Sequence, residues 1–265
     1  MKVEELTDVS YAVAEGGVAV ITIDRPDRYN AFRGRTVDEL IAAFKTAWAD
    51  SSVAAVILTG AGDQAFCAGG DVKERAATGG YGETEWGTFE IERLHRIIRD
   101  IPKPVIAAVN GVAVGGGHVL HVLCDLTVAA THARFGQTGP KVGSFDAGFG
   151  AAYLARVVGE KRARQIWFLL DLYDAVTAER WGLVNEVVPP EELMPTALAW
   201  GRKIASYSPT ALRFLKHSFN ADSDHIAGIS NLAFDGLELF AHSDEGMEGA
   251  QAFAEKRPPD FTRFH

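Results

Sequence analysis

The sequence predicts an α/β fold: a core over residues 1–200 and a helical C-terminal region over 201–265. Three observations lead there. Four short, unbroken apolar runs lie in the first half of the chain. Helix-like stretches and Gly-rich turns separate them, as crossovers between parallel strands require. From about Gly148 onward the pattern is helical almost throughout.

In chain order, Val18–Ile23 (VAVITI) reads as a strand ended by Asp24-Arg25-Pro26. Thr36-Val37-Asp38-Glu39 has the form of a capping box opening a helix to about Trp48. Ala54–Thr59 (AAVILT) is a second strand, closed by Gly60-Ala61-Gly62. A Gly-rich loop follows, then a helix from about Glu83 to Asp100. Pro104–Val109 (PVIAAV) is a third strand, closed by Asn110-Gly111. After Gly115-Gly116-Gly117 comes a short helix and then a fourth strand, Leu126–Ala130. Unbroken apolar strands of this kind are buried on both faces. Further on, Pro189-Pro190 breaks the helical half, and Ser208-Pro209 opens a new helix, with Ser208 as N-cap and Pro209 in its first turn.

Composition narrows the function. Hydrophobic residues are 47% of the chain and charged residues 23%, the balance of a globular protein that can bury a core. A net charge of −9 speaks against nucleic acid or an anionic membrane, since both need a basic face. Cys67 and Cys124 form no CxxC pair and suit a reducing cytosol. The N-terminus has no apolar targeting signal, and no run nears the roughly 18 apolar residues of a membrane span. A cytoplasmic protein is expected.

Two Gly clusters follow apolar runs: Phe66-Cys67-Ala68-Gly69-Gly70-Asp71 and Val114-Gly115-Gly116-Gly117-His118. A strand-to-helix corner exposes unbonded N–H groups and the positive end of a helix dipole. Two such corners could meet on one oxyanion; equally, the glycines could serve only tight turns. No Gly-Lys-Ser/Thr follows either cluster, so neither is a P-loop. His118 and His121 share a helix face, with Cys124 three residues on, but no fourth ligand stands at useful spacing, so packing is preferred to a metal site. The Gly-rich segment 135–150 holds one carboxylate, Asp146, which reads as a helix N-cap or as an acid or base. Ser144 lacks a nucleophile elbow. Trp167 reads as core on its own, and Lys73, Arg75 and Lys256 as surface.

In combination these segments say more. Arg25-Pro26 with Asn30-Ala31, Phe66–Asp71, Pro104–Gly111, Gly115–Gly117 and Cys124-Asp125-Leu126 resemble the crotonase (enoyl-CoA hydratase/isomerase) superfamily over nearly the whole chain. The resemblance implies a ClpP-like spiral of ββα units with a helical C-terminal trimerisation region. It implies an acyl-CoA substrate, no tightly bound cofactor, no metal, and a homo-trimer or homo-hexamer. By resemblance, the N–H groups of Gly70 and Gly116 form the oxyanion hole.

Segments Gly115–His121, Phe135–Asp146, Gly79-Gly80-Tyr81, Ile166–Phe168 and Lys256–Phe261 look like the 1,4-dihydroxy-2-naphthoyl-CoA synthase group, which closes a ring on o-succinylbenzoyl-CoA. Segments Asn30–Gly34, Asp38–Ile41, Ser208–Leu212 and Ser218–Asn220 are similar to the 2-ketocyclohexanecarboxyl-CoA hydrolase group, which opens one. Within this resemblance Asp146 orients or protonates a second oxyanion, with Ser144 and Tyr81 beside it. Gln137, Thr138, Gly139 and Trp167 match a bicarbonate site. Lys73, Arg75 and Lys256 are candidates for CoA phosphates; Arg28 is another, one place before the family's basic position, which is Tyr29 here. Two departures matter. The two glutamates of the hydratases are Val119 and Gly139. The C-terminal tyrosine that both groups lend to a neighbouring subunit is Ala241, followed by His242, the candidate substitute. Another family member, or an inactive scaffold of the same fold, are the alternatives; retention of Gly70, Gly116 and Asp146 weighs against the scaffold.

Overall fold

The computed structural model describes residues 1–264. A six-stranded sheet forms the centre, in the order β1-β2-β3-β5-β7-β10. Its strands are β1 (Val9–Ala14), β2 (Val18–Ile23), β3 (Ala55–Gly60), β5 (Val105–Val109), β7 (Leu126–Ala130) and β10 (Glu186–Val188). Only the β1–β2 hairpin is antiparallel; the other pairs are parallel. The four apolar runs of the sequence are β2, β3, β5 and β7.

Alternate side chains of these strands serve two cores. Ile57, Ile106 and Val128 lie with Leu193 and Ala197 of α8 (Leu193–Ala205) on one face. Val56, Leu58, Val105 and Ala107 lie on the other, with Leu40 and Phe44 of α1 (Gly34–Ala49) and Leu94 and Ile98 of α3 (Ile91–Asp100). All six residues of β3 and all five of β5 are buried. Each fully buried Val, Leu, Ile or Phe contributes about 1.5–3 kcal/mol.

A second, four-stranded sheet runs β4 (Ala65–Cys67), β6 (Val112–Val114), β8 (Arg134–Gly136) and β9 (Tyr173–Asp174). Each of β3, β5 and β7 turns directly into β4, β6 or β8. Helix α2 (Val72–Thr78) follows β4, and α4 (Gly116–Leu123) follows β6. This is the ββα spiral expected from the resemblance. A π-helical segment, Gly148–Tyr153, leads into α5 (Leu154–Val158) and α6 (Glu160–Leu169). Helix α7 (Ala175–Arg180) connects β9 towards β10. In the C-terminal region, α9 (Pro209–Ala221) starts as expected: the Ser208 hydroxyl accepts from Ala211 N at 3.3 Å. Helix α10 (His225–Ala241) packs on the π-helical segment and α3, and α11 (Asp244–Ala254) on α2. No helix among the described residues is long and apolar enough to cross a membrane.

Two local expectations are corrected. Thr36 is not an N-cap, because α1 begins at Gly34; its hydroxyl reaches back to accept from Arg33 N at 3.2 Å. Glu39 is fully buried and accepts the N–H groups of Thr7, Asp8 and Val9 at 2.7–3.0 Å, anchoring the start of β1 instead of closing a capping box. The helix expected from Glu83 starts only at Ile91. Gly79, Gly82 and Gly87 all have φ near +80°, which holds 79–90 as an irregular loop.

Candidate functional site

The two Gly corners meet because β4 and β6 are parallel neighbours, with Ala65 opposite Val112 and Cys67 opposite Ala113. Both strands therefore end side by side, and each chain turns into a helix there. Phe32 clamps the first corner: its N–H donates to Gly69 O at 2.8 Å, and its carbonyl accepts from Asp71 N at 2.8 Å. Between those bonds the Gly70 N–H finds no protein acceptor among the described residues. At the second corner Gly115 has φ +56° and donates to Gly136 O at 3.1 Å. Gly116 opens α4, and its N–H is likewise unbonded among the described residues.

Glycine is required at both donors by close approach. A Cβ on Gly70 would stand 2.5 Å from the Tyr81 ring, and one on Gly116 2.5 Å from the Phe32 ring. One on Gly69 would stand 3.0 Å from Gly116 N. Asp71 braces the corner from behind. Its carboxylate caps α2 through Lys73 N (3.1 Å) and Glu74 N (3.2 Å) and pairs with Arg25 at 3.0 Å. Two free N–H groups at one corner, one of them on a helix N-terminus, can hold an oxygen that gains negative charge.

A cavity of about 840 Å³ opens on this corner. Tyr81 and Phe89 stack at 4.3 Å along one wall, next to Phe32. Ser144, Phe145, Asp146 and Trp167 form another wall. Helix α10 closes the cavity of its own chain with Phe234, Asp235 and Leu237, and brings Ala241 and His242 to its rim. His242 is mostly exposed and lies 3.8 Å from Glu238, one helical turn away.

Asp146 takes the cap role expected of it. Its Oδ1 accepts from Gly148 N and Gly150 N, each at 3.0 Å, so it caps the π-helical segment. It also lines the cavity, where burial pushes its carboxyl up to about 6, against the pull of those two N–H groups. A cap on the solvent side would stay ionised; this one can change protonation near neutral pH. Tyr81 is held above the usual phenol range by burial, with Arg75 acting the other way.

The structure brings Gly70, Gly116, Asp146, Ser144, Tyr81, Gln137, Trp167 and Arg75 to this one cavity. Thr138, Gly139, Lys73, Lys256 and Arg28 are outside its lining. Lys73, Lys256 and Arg28 are exposed, and Arg75 reaches Gly143 O at 3.4 Å. Gly139 is buried so tightly that a Cβ there would stand 2.6 Å from Ser144 O and 3.1 Å from the Trp167 ring. A carboxylate introduced at that position would need Ser144 and Trp167 to shift. Trp167 donates its ring N–H to Gly150 O at 2.7 Å, and the Gln137 amide stands 3.4 Å from His118 Nδ1. As arranged, both groups are engaged within the protein.

His118 and His121 are fully buried, with ring centroids 4.9 Å apart. Burial holds His118 down at about 3 and His121 well below its usual value, so both rings are neutral. Among the described residues, no group of three or more His, Cys, Asp or Glu side chains could hold a metal ion.

Sequence reasoning missed Phe89, Phe145, Phe234, Glu92 and His95 in the cavity wall. Phe145 sits inside the Gly-rich segment 135–150, but an apolar ring there reads as packing, and on an amphipathic helix such as α3 a glutamate reads as solvated surface.

The match with known proteins follows this geometry. The family model described as enoyl-CoA hydratase/isomerase matches residues 13–263. An enoyl-CoA hydratase from Mycobacterium avium subsp. paratuberculosis is 30% identical, with a TM-score of 0.84, over 97% of this chain and 99% of that one. A carnitinyl-CoA hydratase from Mycobacterium avium is 34% identical, with a TM-score of 0.83, over 97% and 98%. An enoyl-CoA hydratase from Bacillus anthracis is 33% identical, with a TM-score of 0.74, over 96% and 99%. With its ββα spiral and paired glycine corners, the chain belongs to the enoyl-CoA hydratase/isomerase family, the crotonase superfamily.

Proposed function

We propose that this acyl-CoA enzyme stabilises a thioester enolate for making or breaking a C–C bond, in the manner of the naphthoyl-CoA synthases. The observation that carries the reading is one cavity holding the free N–H groups of Gly70 and Gly116 together with Asp146, while Val119 and Gly139 offer no carboxylate. The thioester oxygen sits between the two N–H groups as it gains charge; one such donor contributes about 3–4 kcal/mol in well-studied cases. The enolate carbon attacks a second carbonyl carbon. Asp146, in its acid form, donates a proton to the oxygen that develops there, with Ser144 and Tyr81 beside it. A bicarbonate could act as base only if Gln137 and Trp167 turned from their present partners. Lys73, Arg75, Lys256 and Arg28 are the candidates for the CoA phosphates. The apolar residues exposed on α9 and α10, Phe214, Phe219, Leu232 and Leu239, support a trimer or hexamer.

A second reading has its own support. Glu92, Asp235 and Glu238 line the cavity, and their negative charge favours an acyl group without a carboxylate of its own. The ring ketone opened by 2-ketocyclohexanecarboxyl-CoA hydrolases is such a group, whereas o-succinylbenzoyl-CoA carries a carboxylate. The experiment is turnover of both thioesters, with and without bicarbonate. Naphthoyl-CoA formation supports ring closure. Opening of 2-ketocyclohexanecarboxyl-CoA, with o-succinylbenzoyl-CoA inert, overturns it in favour of ring cleavage.

A further inference from the structure

Enolate chemistry in either direction needs two proton-handling groups. Ring closure takes a proton from the carbon beside the thioester and gives one to the departing hydroxyl. Ring opening takes a proton from water and returns one to that carbon. Asp146 supplies one group. The hydratase positions, Val119 and Gly139, supply none, so a built-in partner must come from another wall.

Helix α3 carries Glu92 in its first turn, and Glu92 lines the same cavity as Gly70, Gly116 and Asp146. It is half-buried between α3 and the facing α10. The charged groups that act most on its carboxylate are acidic: Asp235 from α10, Asp146 from the opposite loop and Glu90 from just before α3, the last paired with Arg93 at 3.0 Å. His95, one turn further along α3, is fully buried and unpartnered, and burial keeps it neutral, with a value pushed down to about 3. Arg75 and His242 line the cavity elsewhere. Among the described residues, no side chain hydrogen-bonds the Glu92 carboxylate. Asp146 is tethered by two backbone N–H groups, whereas the longer Glu92 side chain is held only by its own backbone N–H.

Resting on the enolate reading above, we infer that Glu92 is the base that works opposite Asp146, a built-in carboxylate at the wall of α3. In ring closure Glu92 takes the proton from the carbon beside the thioester. The C–H pair moves onto the thioester oxygen, held by Gly70 and Gly116, and then into the new C–C bond. On the carboxylate, Asp146 gives its proton to the oxygen that develops on attack, and a second proton, drawn from solvent, lets the hydroxyl leave as water. The proton on Glu92 then returns to Asp146, so closure consumes one solvent proton and no oxidant or reductant. Burial and like charge hold the Glu92 carboxyl above its usual range, which strengthens it as a base.

The experiment follows deuterium entry from D₂O into the carbon beside the thioester of butyryl-CoA and o-succinylbenzoyl-CoA, by mass spectrometry. Exchange by the unaltered protein should fall a hundredfold or more in Glu92→Gln, with melting temperature kept or raised, and persist in Asp146→Asn. Added acetate or formate should restore exchange to Glu92→Ala, where a space is left, and not to Glu92→Gln. Equal exchange by the unaltered protein and Glu92→Gln overturns the inference while leaving the enolate reading intact. If the unaltered protein exchanges neither thioester, the enolate reading itself fails, and the role of Glu92 with it.

Discussion

Replacing Asp146 by Asn separates its cap from its charge. The amide oxygen can still accept from Gly148 N and Gly150 N, so the π-helical segment keeps its start. What disappears is a buried carboxyl whose value moves from 3.8 to about 6 on folding. A carboxyl that binds its proton more tightly in the folded state stabilises that state at low pH, and this contribution is lost as pH rises from about 4 through about 6. At 1.36 kcal/mol per pH unit, the loss is on the order of 3 kcal/mol above pH 7. Asn is neutral throughout. The variant should therefore melt several degrees higher than the parent at pH 8, with about 2–4 °C expected per kcal/mol in a protein of this size. The gap should close towards pH 4. Thermal melts from pH 4 to 8 measure this. Turnover should fall about 10²–10⁴-fold, the range for a lost general acid. In the parent, the acid form is depleted above about pH 6, so kcat/KM should decline on that side. A variant that melts lower at every pH, with turnover intact, would refute the reasoning and leave Asp146 as a cap alone.

Other perturbations test the rest of the site. Gly116→Pro deletes one N–H at a helix position where proline is tolerated; because Phe32 crowds that point at 2.5 Å, it should be made with Phe32→Ala. Turnover should drop about 10²–10³-fold relative to Phe32→Ala alone, and near-normal kinetics would show that Gly116 is not a donor. Hydration of crotonyl-CoA, followed by loss of its absorbance, should stay below about 10⁴ M⁻¹s⁻¹ in kcat/KM, since Val119 and Gly139 carry no carboxylate. Gly139→Asp should destabilise the fold by about 1–3 kcal/mol through overpacking against Ser144 and Trp167; a melting temperature unchanged within a degree would show that the loop yields.

Strands β2, β3, β5 and β7 were legible because parallel strands buried on both faces must be apolar without interruption. Strand β1 was not, because it sits at the sheet edge and buries only Val9 fully. Strands β4, β6 and β8 have three residues each, too few to show a period. The Gly corners were legible because a Cβ there would stand 2.5 Å from an aromatic ring, which favours glycine over any other residue. Glu92 was hidden for the opposite reason. Glutamate on a helix next to arginine is ordinary surface, and only the docking of α10 onto α3 draws it into a wall. Thr36 and Glu39 had the right spacing for a cap, but tertiary demand from the N–H groups of Thr7, Asp8 and Val9 claimed Glu39.

The lid that α10 forms over its own chain's cavity bears on how subunits would cooperate in an assembly. Because α10 lines the same cavity as the glycine corner, damage at either should act in cis. Co-assembling two inactive variants, one altered at Gly116 and the other at Phe234, should produce no rescued sites, since no subunit would hold both intact halves. In mixed assemblies of parent and Gly116 variant, activity should follow the parent fraction in a straight line.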